Sequence, residues 1–246
     1  MIAAFIKRGI VAGLLAGLLA GLAGLLVGEP SVDAAIQIEE AQAAQEQEQA
    51  QAPANAPVEP EVTRPVQRIG LVAGTALIGV AVGAVFGVLM AWSVGRLQGD
   101  AWARSLKASA VLLAAVVLFP ALKYPANPPT VGDPATIGTR TTLYLGLGVV
   151  GLLLAAASYS AALTLRKTRL SVPLRQVLLG AGTVAAGAVV LAVMPSLSDE
   201  VAVPATLLWS FRIGSIAIQV VLWGGTGVLF GLLAARADPD LVKRAT

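Results

Sequence analysis

A helix that crosses the roughly 30 Å hydrocarbon core of a bilayer needs about 20 consecutive, mostly apolar residues. Six stretches of this chain meet that requirement, at 10–27, 69–94, 106–122, 142–165, 176–194 and 213–235. They predict an all-α fold: a polytopic helical membrane protein with six transmembrane helices. The composition agrees. Hydrophobic residues make up 57% of the 246 positions and charged residues only 13%, whereas a soluble domain carries about 25% charged residues.

The cationic residues set the orientation. Lys7 and Arg8 precede the first stretch, and Arg96, Arg104 and Lys107 lie around the second junction. Arg166, Lys167, Arg169 and Arg175 lie between the fourth and fifth, and Arg236, Lys243 and Arg244 follow the sixth. These are twelve of the seventeen Lys and Arg residues, and the positive-inside rule makes their side cytoplasmic, with both termini inside. The other side holds Arg64, Arg68, Lys123, Arg140 and Arg212. The net charge of +3 is thereby explained by inside loops and calls for no nucleic-acid partner. The first stretch has the basic start and apolar run of a signal peptide. No A-x-A site directly follows the apolar run, and Gly28-Glu29-Pro30 is a poor cleavage context, so it reads as an uncleaved anchor.

Three parts follow: a first transmembrane helix over 1–28, an extracytoplasmic segment over 29–67, and a five-helix transmembrane domain over 68–246. In the middle part, residues 34–51 are good helix formers, and Pro30, Ser31 and Asp33 resemble a helix start. Residues 52–62 are Pro-rich and acidic and read as a disordered linker. Glycines recur every fourth residue at Gly9, Gly13, Gly17 and Gly21, and again at Gly79, Gly83 and Gly87. Such ridges let helix backbones approach closely in lipid. They fit packing within one subunit or homo-oligomerisation through the first helix. There is also a hint of repetition: Arg68-Ile69-Gly70 recurs as Arg212-Ile213-Gly214, with Gly83, Phe86 and Gly87 matching Gly227, Phe230 and Gly231 in the same register.

The chain has no Cys and no His. That removes thiolate chemistry, the commonest general base and the commonest metal ligand. No nucleophile–base pair, P-loop or zincin motif is present. Gly146, Gly148 and Gly151 spell a dinucleotide fingerprint but lie inside an apolar span with no preceding strand. The chain does not read as an enzyme and needs no resident cofactor.

Three polar groups stand out. Glu29 ends the first span, with Asp33, Glu39 and Glu40 beyond it. Residues at helical spacing share a face, so Glu29, Asp33 and Glu40 are candidate cation attractors, against the alternative of a merely solvated acidic face. The second group is the loop Lys123-Tyr124-Pro125-Ala126-Asn127-Pro128-Pro129, continuing to Asp133-Pro134 and Arg140. With Pro120 and Pro134, its prolines predict non-helical backbone. Asn127 then belongs either to a rigid lip of a permeation path or to a plain connector. The third is the face Trp209, Arg212, Ile216, Gln219 and Trp223. Arg212 is either an intramembrane charge needing a partner such as Glu29 or Glu40, or an interfacial residue that snorkels beside Trp209. Gln219 lies deeper and is a candidate path-lining residue.

These same residues resemble the CbtA family of predicted cobalt transporter subunits. The matching stretches include Phe5-Ile6-Lys7-Arg8-Gly9, Gly28-Glu29-Pro30-Ser31-Val32-Asp33-Ala34-Ala35-Ile36 and Arg64-Pro65-Val66-Gln67-Arg68. They continue with the loop from Lys123 to Pro129, Thr136-Ile137-Gly138-Thr139-Arg140-Thr141, Trp209-Ser210-Phe211-Arg212 and Trp223. The resemblance implies cobalt uptake across the bacterial cytoplasmic (inner) membrane, with the ion as substrate. It also implies a small partner of one span with a His-rich end, CbtB. Such a partner would make sense of a chain without histidine, because imidazole suits cobalt. The runner-up is a membrane scaffold or assembly subunit that transports nothing itself.

Overall fold

The structure is a computed structural model that describes residues 2–50, 62–129, 131–132, 134–197 and 203–237. Residues 51–61, which hold all but the last residue of the expected linker, and Asp133, Lys243 and Arg244 lie outside the described residues. Eight α-helices occur among those described: α1 (Ile2–Ala23), α2 (Glu29–Ala50), α3 (Arg64–Ser93), α4 (Ala101–Leu113), α5 (Phe119–Lys123), α6 (Ile137–Leu165), α7 (Val172–Val193) and α8 (Ala205–Ala237). No strand is found among them. Six continuous helical runs are long and apolar enough to cross a membrane: Ile2–Gln45, Arg64–Ser93, Ala101–Lys123, Ile137–Leu165, Val172–Val193 and Ala205–Arg236. Each overlaps one of the six apolar stretches, so the all-α polytopic class read from hydropathy is the one observed.

Two of these runs contain a wide turn. Gly24–Gly28 joins α1 to α2, and Ala114–Leu118 joins α4 to α5, each with π-helical pairing. Glu29 N–H reaches back to Gly24 O and Phe119 N–H to Ala114 O, five residues rather than four. Both turns end two residues before a proline, Pro30 and Pro120. Proline has no N–H to donate, and its ring crowds the carbonyl four residues back. A widened turn relieves that crowding while the helix continues. The expectation of non-helical backbone is therefore corrected at Pro120, which sits in the first turn of α5. The backbone leaves the helix only after Lys123.

By contacts, the chain divides into two compact units: residues 1–110, 127–131 and 201–246, and residues 111–126 and 132–200. The first unit is built on glycine. A Cβ on Gly9 would run into the carbonyl oxygen of Gly83, one on Gly13 into that of Gly79, and one on Gly17 into that of Thr75. Seen from α3, Gly79 and Gly83 meet the Gly13 and Gly9 carbonyls in the same way. The two glycine ridges thus face each other in antiparallel helices of one chain, and the close-approach surface of α1 is occupied by α3. On another side, α1 packs against α8 through Ala16, Ala20 and Leu222, all buried. Phe86 and Phe230 meet edge-on with centroids 5.4 Å apart, and Phe5 joins them at 6.1 Å.

The register shared by α3 and α8 has a structural counterpart. Gly83 and Gly87 admit α1, whereas Gly227 and Gly231 admit α4, where a Cβ would strike Ser109 and the Ser105–Trp102 pair respectively. Ser105, Ser109 and Thr226 are buried, yet each hydroxyl donates to a carbonyl three or four residues back in its own helix. Their polarity is therefore spent locally, and they act as small residues in the packing.

In the second unit, α6 lies against the wide turn at 114–118. Phe119 N–H bonds Ala114 O instead of Ala115 O, and a Cβ at Gly151 would strike that Ala115 carbonyl. Ser158 and Thr183 share a hydrogen bond of 2.8 Å between α6 and α7. Arg175 Nη1 donates to the carbonyls of Leu165 and Arg166, closing the intervening turn. Tyr124 Oη donates to Pro195 O at 2.7 Å, and Lys123 Nζ to Ser196 Oγ at 3.1 Å. Gly132 has φ +103°, and the Arg140 guanidinium lies where a side chain at 132 would be. Glycine is needed there for conformation and for space.

Candidate functional site: paired carboxylates and arginines

The wide turn at 24–28 delivers Glu29 and Asp33, one helical turn apart, on a common face of α2. Arg64 and Arg68 share the same spacing in the first turns of α3, which starts from an extended Thr63 with Pro65 just inside. The two pairs interlock. Arg64 Nη2 lies 2.7 Å from Glu29 Oε2 and 2.5 Å from Asp33 Oδ1, while its Nε also donates to Asp33 Oδ1 at 3.2 Å. Arg68 Nε lies 2.8 Å from the same Glu29 oxygen, and its Nη2 2.8 Å from Asp33 Oδ2. Gln67 steadies the group from below: it accepts from Arg64 Nη1 and donates to Val62 O at 2.8 Å.

Burial grades the four residues. The Glu29 side chain is 11% exposed, Arg64 29%, Asp33 36% and Arg68 46%. The charges cancel, so the enclosed Glu29 carboxylate is compensated by charge-assisted hydrogen bonds. Both arginines converge on Glu29 Oε2. Among the described residues, Glu29 Oε1 and Arg68 Nη1 have no hydrogen-bond partner.

The structure thus brings Glu29 and Asp33 together. Glu40 is exposed and joins no ion pair among the described residues, as does Glu39. No group of three or more carboxylates, Cys or His placed to hold a metal occurs among the described residues. Arg64 and Arg68 were missed as site residues by sequence reasoning. The available signal was their four-residue spacing, which mirrors that of Glu29 and Asp33 with opposite charge.

The remaining candidates form a second, smaller arrangement. Asn127 Oδ1 accepts from Arg212 Nη2 at 3.0 Å. Arg212 therefore meets the proline loop, while Glu29, one of two acidic partners considered for an intramembrane Arg212, is held by Arg64 and Arg68. The Arg212 guanidinium also lies 6.0 Å from the Trp209 ring centre. Pro128 and Val131 are buried, and Val131 N–H closes on Pro128 O, so this part of the loop is a packed turn. Gln219 is half-buried on the same helix, two turns further on, with no hydrogen-bond partner among the described residues.

Six apolar helical runs, glycine-mediated helix packing and a neutralised ion-pair cluster at helix ends define a multi-pass helical membrane protein. Residues 2–235 match the family described as probable cobalt transporter subunit (CbtA). The chain belongs to that family, whose description makes it a subunit of a transporter. No curated protein and no solved structure matches it.

Proposed function

We propose that this chain is the membrane subunit of a divalent-metal uptake system with cobalt as cargo, lying in the bacterial cytoplasmic membrane with both termini inside. The observation that carries this reading is the pair Glu29 and Asp33, held together at the end of an apolar helix with one Glu29 oxygen left open. Carboxylate oxygens suit hard and borderline divalent cations. Two guanidinium groups already neutralise the pair, so an arriving cation competes with them and is held weakly. Weak holding favours passage, because an ion that transits must also leave. Glu40, further out on α2, would raise the local cation concentration. Asn127, fixed by Arg212, would form a rigid lip, and Gln219 would offer an amide deeper along α8.

A chain with no histidine is poorly equipped to capture cobalt tightly. Capture would fall to a small single-span partner with a His-rich end, since imidazole binds later transition metals well. Cells carrying both subunits are expected to take up labelled cobalt several-fold faster than cells carrying this chain alone. Equal uptake would sink the division of labour.

One observation favours a second reading. The same four residues also tie α2 to α3, which is what a non-transporting scaffold subunit would need. Retention of cobalt uptake in a strain lacking this chain but holding its partner would establish it.

A further inference from the structure

The wide turn at 24–28 amounts to one extra residue in an otherwise regular helix, since Glu29 N–H reaches Gly24 O across five residues. That residue decides which way α2 faces. Gly21 marks the side of α1 that meets α3, because a Cβ there would strike Thr75 Oγ1 and Val72 Cα. An α-helix turns about 100° per residue, so in an unbroken helix Glu29 would point about 80° away from Gly21 and Asp33 about 120° away. With one residue absorbed by the wide turn, both fall within about 20° of Gly21, one on either side. The pair then faces α3, where the structure has it, on Arg64 and Arg68. Positions along α3 agree: Val72 lies opposite Gly21, and Arg68 and Arg64 stand one and two turns nearer the start of α3.

Pro30 keeps this turn from closing. In a regular helix its ring would crowd Leu26 O, four residues back, and it has no N–H to offer that carbonyl. Leu26, inside the turn, is 77% exposed, so packing does not call for the extra residue.

We propose that Pro30 is a positioning residue for the carboxylate site: it holds the 24–28 turn one residue wide, and that width rotates α2 so that Glu29 and Asp33 meet Arg64 and Arg68. Pro30 contributes no charge to the cluster and acts through the phase of the helix. The geometry is independent of any cargo, whereas its consequence for transport rests on the function proposed above.

The test deletes Leu26 from the full-length protein, alone and together with Pro30→Ala, and measures in each background how far Arg64→Ala lowers the unfolding midpoint. With Pro30 kept, the shortened turn still has to widen, α2 faces about 100° away from α3, and Arg64→Ala is expected to have almost no effect. With Pro30→Ala the shortened turn closes as a regular α-turn, the carboxylates return to phase, and the full drop of the parent is expected. A full drop in the protein lacking Leu26 alone would overturn the proposal. So would a missing drop in the protein that combines the deletion with Pro30→Ala, and that variant decides the matter by itself if the deletion alone does not fold. Cobalt uptake by cells holding both subunits should follow the same order. Normal uptake in the deletion variant, with Arg64→Ala no longer having an effect there, would refute the cobalt role of Glu29 and support the positioning role of Pro30.

Discussion

Arg64→Ala is expected to lower the unfolding midpoint of the purified protein by about 6–12 °C, the largest loss of any single charged residue. Arg64 contacts both carboxylates, and the Glu29 it serves is 11% exposed. Its removal leaves an enclosed carboxylate served only by the more exposed Arg68. Breaking an enclosed ion pair from one side costs about 3–5 kcal/mol, and the partial exposure here favours the lower end. For a chain of this size each kcal/mol moves the midpoint by about 2–4 °C. Arg68→Ala should cost less, because that side chain is 46% exposed and exposed pairs contribute little. The double variant Arg64→Gln/Glu29→Gln should be more stable than Arg64→Gln alone, since no uncompensated charge remains at position 29. A thermal scan at a fixed rate distinguishes these outcomes. Additive losses in the double variant would show that the two residues do not depend on each other.

Two glycines on one helix should respond in opposite ways to the same substitution. A Cβ at Gly79 overlaps the carbonyl of Gly13, whereas one at Gly74 meets nothing within 4 Å. Gly79→Ala therefore has to push α1 and α3 apart, and overpacking of this kind costs about 1–3 kcal/mol or more. Gly74→Ala adds a methyl group in open space and restricts the unfolded chain, which stabilises by about 0.4–1 kcal/mol. Midpoints measured side by side should move in opposite directions. A Gly79→Ala protein as stable as the parent would mean that the glycine ridges do not carry the α1–α3 contact.

Much of this architecture is legible in the sequence because it follows from local rules. A run of about 20 apolar residues in lipid has to satisfy its backbone internally, so it becomes a helix. The recurrence at Gly9, Gly13, Gly17 and Gly21 announces a close approach, although not which helix approaches. That choice belongs to tertiary structure, and α3 supplies it with a matching ridge. Pro30 reads as a helix start and Pro120 as a helix end. In each case the chain instead widens one turn and continues, a solution that depends on the hydrogen-bond pattern across five residues. The ion-pair cluster was the least legible feature. Its acidic and basic halves are about 35 residues apart with the low-complexity linker between them, and neither half alone shows what it faces. Arg212 donates to the amide oxygen of Asn127, in a loop whose prolines already marked it as stiff, and nothing in either stretch alone shows that the two meet.

The central claim is that the Glu29 carboxylate exchanges arginine for a metal ion, and uptake of labelled cobalt by cells holding both subunits tests it directly. Glu29→Gln is expected to reduce uptake about tenfold at equal protein level, as does loss of about 1.4 kcal/mol of a required interaction. The pair Glu29→Gln/Arg64→Gln separates function from stability, because it restores charge balance without restoring the carboxylate. The double variant is expected to be stable and still to fail to take up cobalt. Recovery of uptake in that double variant, or normal uptake in Glu29→Gln alone, would contradict it.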